Sequence, residues 1–250
     1  MKRIYSKLKA GSKSTVINAG LIIICVILLI TGIIFLLIEP IKRYNRRKIS
    51  DDALSVIESG ITSSETGETE ETVIPTITYV VPVKGNEVEG EGYDFVGLTE
   101  EPEEDGGEEY YEESVALNSI GILEISSINL RYPVWDEATL VSLRYGLGHY
   151  EGSVMPGEVG NATIFGHNYR DGTMFQRLWE VEIGDEVVFT DLEGNEQTFY
   201  VFDTMVIDAE DILDYVVDDI TKTRQLTLVT CTYIDGEEGY RLLVICRKAD

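Results

Sequence analysis

The run Leu226–Lys248, LTLVTCTYIDGEEGYRLLVICRK, alternates apolar and polar residues, breaks on an acidic, glycine-bearing stretch and then alternates again. The pattern predicts two antiparallel strands joined by a loop over Thr232–Tyr240. In such a hairpin Cys231 lies roughly opposite Arg241, and Cys246 sits five residues farther along the second strand. At about 3.4 Å per residue that offset is on the order of 17 Å, far more than a disulfide bridges. Cys231 is therefore expected as a thiol.

Working outward, the chain from about Leu117 reads as short apolar runs separated by turn residues, the pattern of an all-β barrel or sandwich. Strands are predicted at Ile120–Ser126, Ile128–Trp135, Ala162–Gly166, Asp185–Thr190, Gln197–Thr204, Gln225–Cys231 and Arg241–Arg247. The DLEGN turn makes a hairpin of the fourth and fifth. Short helical pieces fit Glu137–Leu143, Thr173–Trp179 and Ala209–Val217.

The other half of the chain has a different character. Ala19–Ile38 is a run of 20 residues without a charge. At 1.5 Å per helical residue it matches a hydrocarbon core of about 30 Å, so an uncleaved transmembrane helix is expected. Five basic residues precede the run and five follow it closely, so the charge asymmetry that orients membrane helices gives a tie. Residues 51–115 hold 20 acidic residues and one lysine, and are read as a disordered spacer. Within it VIPTITYVVPV, Val73–Val83, is apolar enough to dock, either as a lid over a groove or as an added strand. The expected organisation is a basic terminus over 1–18, the membrane helix over 19–38, a juxtamembrane and spacer segment over 39–115, and a catalytic barrel over 116–250.

From Asp51 onward 44 acidic residues face 10 basic ones. That field repels phosphate backbones, and no basic stripe interleaved with aromatics lies beyond the amino-terminal region, so nucleic acid binding is not expected. Acyl transfer by a cysteine needs a base or cation beside the thiol and a donor for the oxyanion. His167 follows the predicted strand ATIFG, Cys231 ends its own strand, and Arg241 opens the adjacent one, so all three can meet at one end of a barrel. Taken singly, each residue has an ordinary structural reading: a small core side chain, a loop imidazole, a solvated charge.

The wording around these residues resembles the sortases, membrane-anchored cysteine transpeptidases of Gram-positive bacteria. TLVTC at Thr227–Cys231 is similar to the family's nucleophile motif, GLGHYEGSVMPGEVGNATIFGHN at Gly146–Asn168 to the segment leading to its histidine, and YRLLVI carries its arginine. The resemblance implies a closed β-barrel of about eight strands, with the amino terminus cytoplasmic, a single membrane pass and the catalytic domain outside. It also implies that Cys231 forms a thioester on a Leu-Pro-X-Thr-Gly-like sorting signal, with His167 as acid and base and Arg241 on the oxyanion. Thr230, Thr232 and Asn168 are the further candidates for substrate or oxyanion contacts. The acceptor is expected to be an amine of a peptidoglycan precursor or of a pilin lysine, the protein substrates surface proteins or pilins, and no cofactor or metal is required. His149, in GHYEGSVMPG, is expected to be structural. Acidic residues near Glu180–Glu186 and Asp208–Asp211 show no calcium-ligand spacing.

The subclass stays open: GHNYRDGTMFQRL resembles the class B histidine segment, while the short stretch Phe202–Arg224 and the TCTY and YRLLVI wording resemble pilin-polymerising and class D enzymes. Two other readings stand beside the sortase one. A papain-like peptidase would place its histidine after the cysteine, and here His167 precedes Cys231 by 64 residues. A non-catalytic surface-interaction module would have an unreactive Cys231.

Overall fold

The computed structural model describes residues 2–64, 77–84, 112–169, 171–216, 223–234 and 236–248. Two compact units emerge, residues 1–45 and 46–250. Helix α1, Lys2–Ser64, begins in the first. There, apolar side chains such as Leu28 and Leu36 are 65% and 75% exposed. Among the described residues no helix is long and apolar enough to cross a membrane. The run expected to do so, 19–38, lies partly outside the described side chains.

The second unit is built on a nine-stranded sheet: β1 (Ile77–Lys84), β2 (Glu112–Ile125), β3 (Leu130–Trp135), β4 (Leu147–His149), β5 (Gly160–Phe165), β6 (Glu186–Asp191), β7 (Glu196–Asp208), β8 (Arg224–Ile234) and β9 (Glu237–Lys248). The order β1-β2-β3-β4-β5-β8-β9-β7-β6, with β6 returning to β2, closes eight strands into a ring and leaves β1 outside it. β2 serves two partners in turn. Residues 112–119 pair with β1, and after a bulge Gly121–Glu124 pair with β6. Gly121 permits that change: its φ is +152°, and a Cβ there would lie 2.2 Å from the Thr190 carbonyl oxygen.

Alternation along the strands sorts the apolar residues between two sides of the sheet. Leu123, Ile125, Ala162, Ile164, Leu226, Leu228, Leu242, Val244 and Cys246 share one core cluster. Residues of opposite parity, Phe165, Val229 and Leu243, form a separate cluster with Ala138, Leu143, Ile212 and Val216. The segments supplying these last four include the short helices α2 (Ser142–Tyr145) and α3 (Leu213–Val216).

Three expectations need correction. Strand β4 was not foreseen, and the helix expected at Thr173–Trp179 is a 3-10 turn, Phe175–Glu180. The spacer is ordered where it is described, because α1 continues through Ser64 and buries Ala53 and Ile57 against Val81, Leu117, Ile122 and Trp135. Ile49, Ala53, Leu54, Ile57 and Ile61 make the apolar stripe of an amphipathic helix. Asp51, Asp52 and Glu58 are exposed on its other side, and Glu58 pairs with Arg131 at 2.7 Å. Finally, the segment considered as a lid is an edge strand from Ile77 on, paired with Ser119 through Glu112 of β2. Its residues 73–76, and the spacer residues 65–76 and 85–111, lie outside the described residues.

Ile57 is fully buried in this outer cluster, so Ile57→Ala should cost roughly 2–4 kcal/mol in denaturant unfolding. A tether that packs on nothing would lose under ~0.5 kcal/mol, and that result would remove α1 from the folded unit.

Candidate active site

The site follows from two strand registers. β5 runs parallel to β8, with Phe165 level with Val229. Both chains leave the paired region in the same direction, so two residues on His167 stands level with Cys231. β9 runs antiparallel on the other side of β8, and there Cys231 pairs with Arg241. His167, Cys231 and Arg241 thus form a row across three neighbouring strands, at interstrand spacings of about 4.8 Å. Their parity is that of Phe165, Val229 and Leu243, so the row faces away from the Cys246 core. The hairpin is tighter than expected, since its strands extend to Ile234 and Glu237 and a bulge at Thr232/Ile234 preserves the 231–241 pairing.

Hydrogen bonds hold the histidine segment to the nucleophile strand on both sides of His167. Before it, Thr230 Oγ1 donates to the Gly166 carbonyl at 2.7 Å, and Gly166 N donates to the Val229 carbonyl at 3.1 Å. After it, Asn168 Nδ2 donates to the Cys231 carbonyl at 2.8 Å. The His167 carbonyl itself accepts from Phe175 N at 3.0 Å, which closes the 167–175 loop. At that closure Met174 holds φ +53°, an uncommon conformation for a non-glycine residue. Gly166 fits because a Cβ would come within 2.6 Å of both Leu147 and Phe175.

Arg241 is 7% exposed, and its Nη1 donates to the Tyr240 carbonyl at 3.1 Å. Burial at the edge of the row keeps its cation in a medium where charge acts strongly. Cys231 is half-buried, at the border of the cluster that contains Phe165, Ile212 and Val229. The segment after β7 is drawn onto this face by Asn161 and Thr163 of β5, which donate to the carbonyls of Tyr215 and Val216 at 3.0 and 3.4 Å.

The candidate residues fall into distinct groups. His167, Cys231 and Arg241 come together. Asn168 is adjacent but spends its amide on the Cys231 carbonyl. Thr230 is 1% exposed with its hydroxyl given to Gly166, so its side chain does not line a groove. Thr232 is partly exposed, level with Tyr240. His149 is 4% exposed, with Nε2 2.9 Å from the Val154 carbonyl, and ends β4 opposite Ile164 of β5. Of the acidic residues considered for calcium, Glu180 accepts from Arg177 and Asp185 accepts from Ser127 and the Glu182 amide. Among the described residues no cluster is placed to hold a metal ion.

Sequence reasoning missed Tyr169 and Asp171. The Tyr169 ring lies 4.8 Å from that of His167, tilted by 41°. Asp171 accepts from Thr173 N at 3.1 Å, from Thr173 Oγ1, and from Arg46 Nη2 at 2.7 Å. Burial works against its charge, but the Thr173 and Arg46 hydrogen bonds outweigh that and hold the carboxyl below its ordinary 3.8. The motif GHNYRDGT, with an acid two residues before a threonine, carried that signal as an Asx turn.

A family model described as Sortase domain matches residues 123–249. The chain belongs to the sortase family. It is 34% identical over 111 residues to Sortase D of Bacillus subtilis (strain 168), a match that covers 44% of this chain and 53% of that protein, so it spans about half the relative's length. Among solved structures, sortase C1 from Streptococcus agalactiae is 26% identical with TM-score 0.48, covering 53% of this chain and 68% of its own. A Clostridium perfringens Sortase D5 transpeptidase is 26% identical with TM-score 0.47, covering 53% and 79%.

No disulfide joins the cysteines, and burial pushes the Cys246 thiol up to about 12. Its thiolate is scarce at pH 7–8, so iodoacetamide with peptide mapping should label Cys231 and spare Cys246. Equal labelling of both in the folded protein would contradict the facing assigned to β9.

Proposed function

We propose that this chain is a cysteine transpeptidase acting on a carboxyl-terminal sorting signal similar to Leu-Pro-X-Thr-Gly. The observation that carries the reading is the row His167, Cys231, Arg241, with the nucleophile between a proton carrier and a fixed cation.

In the first step the Cys231 sulfur adds to the carbonyl carbon of the signal's threonine. The oxyanion that forms takes the Arg241 guanidinium as its partner, and the planar fork also grips a backbone carbonyl of the signal. The threonine–glycine C–N bond then breaks, the leaving amine takes a proton from His167, and a thioester remains on Cys231. In the second step an acceptor amine attacks that thioester while His167 takes its proton, releasing a new amide and the Cys231 thiolate, so that both groups return to the state in which the cycle began. Arg241 is always charged, so it orients and stabilises without exchanging a proton.

The acceptor best supported is an amine of a cell-wall precursor. Transfer to a pilin lysine is the alternative: the TCTY and YRLLVI wording and the short Phe202–Arg224 stretch still support it, while the pairing of Ile77–Lys84 with β2 gives it no added weight from a lid. The uncharged run over 19–38 and its exposed described side chains support a single-pass membrane anchor, with the catalytic unit outside the cell.

The test is intact mass spectrometry of the chain with Leu-Pro-X-Thr-Gly peptides, hydroxylamine being added afterwards. A hydroxylamine-labile adduct on Cys231, absent in Cys231→Ala, is the expected result. Arg241→Lys should slow adduct formation about a hundredfold. Turnover near that of the parent would take Arg241 off the oxyanion.

A further inference from the structure

Arg46 entered the sequence reading only as one of the basic residues flanking the membrane run, yet its side chain reaches the histidine loop. Arg46 belongs to the same compact unit as the barrel. Its guanidinium carbon stands 4.2 Å from the centre of the Tyr169 ring, and its Nη2 lies 2.7 Å from Asp171 Oδ2. Both ends of the contact are largely out of solvent, at 20% and 19% side-chain exposure. Tyr169 in turn stacks obliquely on His167.

We propose that Arg46 is a positioning residue for His167: docking of the α1 turn that bears it clamps Tyr169 and Asp171, and so fixes the imidazole beside Cys231. The inference rests on the active-site reading given above. It makes the segment between the proposed anchor and the barrel a working part of the site.

The physical argument concerns what would otherwise hold the ring. Hydrogen bonds fix the backbone of residues 166–168, and the orientation of the imidazole upon it is set by rotation about χ1. The Tyr169 ring blocks one side of that rotation. Tyr169 follows Asn168 on an irregular loop, packs in part against the barrel core, and takes the Arg46 guanidinium over its ring. A cation over an aromatic face is a directional contact, and its salt bridge to Asp171 anchors the same guanidinium at its other end. Arg46 therefore joins two points of the loop, positions 169 and 171, to a helix whose apolar stripe is seated on β2 and β3. The other charged or titratable groups acting on Tyr169 are Arg144, Asp171 and Tyr145. Burial raises its phenol above the ordinary 10.0, with the two guanidiniums pulling the other way, so the ring stays neutral at pH 7.

The test uses the full chain in detergent and the pH dependence of iodoacetamide alkylation at Cys231, read by peptide mapping. His167→Ala sets the rate of a thiol without its imidazole. Arg46→Ala should lower the neutral-pH rate on the order of tenfold toward that limit, and Arg46→Lys, which keeps a cation over the ring, should recover most of it. In a His167→Ala background Arg46→Ala should have no further effect. Ile57→Ala loosens the same helix without touching Tyr169, and controls for lost stability.

Parental reactivity in Arg46→Ala would overturn the proposal. So would an equal slowing in the His167→Ala background, or an equal slowing by Ile57→Ala at matched loss of stability. Should His167→Ala itself leave the parent profile unchanged, the active-site reading falls and this inference falls with it.

Discussion

Everything at the site depends on β8 being an interior strand, paired in parallel with β5 and antiparallel with β9. A catalytic row needs three side chains on one face at one level, and backbone pairing supplies level and face together. A shift of one residue in either register would turn Cys231 or one of its neighbours to the other side of the sheet. The bulge near the hairpin tip and the extended β8 and β9 strands keep that register while leaving the turn outside the row. The alignment of the row is thus set by a ladder of main-chain hydrogen bonds, and side-chain hydrogen bonds from Thr230 and Asn168 add the last constraint where the ladder ends.

The sheet is used on both sides, which a barrel of this size requires if it is to carry a site without sacrificing its core. The Cys246 cluster is closed to chemistry by burial alone. The opposite face is covered in two places by different parts of the chain, α1 with β1 over β2 and β3, and the segments around α2 and α3 over β5, β8 and β9. Both coverings reach the catalytic row, the first through Arg46 and Tyr169 and the second through Val229 and Cys231.

How much could be read in advance differs along the chain. The pairing of Cys231 with Arg241 was legible because apolar and polar residues alternate on both sides of a short acidic break, and the five-residue offset of Cys246 set it apart from that pair. His167 was legible from its place after an apolar strand. The roles of Thr230 and Tyr169 were not, because which way a residue faces beyond the last ladder pair is decided by partners distant in sequence. The spacer reading failed for a definite reason. Net charge was weighed over 65 residues, and it masked the stripe Ile49, Ala53, Leu54, Ile57, Ile61, whose period is helical and whose acidic neighbours simply face solvent. Strand β4 is three residues long, so it gave no periodic signal of its own.

The bulge at Gly121 has a consequence for how copies of this protein meet one another. Beyond it the first half of β2 is excluded from the ring, and bare it would offer a long row of unsatisfied backbone groups for any neighbouring strand to join. β1 takes that place, and it includes Pro82, a residue with no amide hydrogen to offer to a further strand. The sheet is thereby terminated by its own sequence. Among the described residues, the edge that crowded molecules meet is a short strand interrupted by a proline, a poor template along which β-structure could propagate from one to the next.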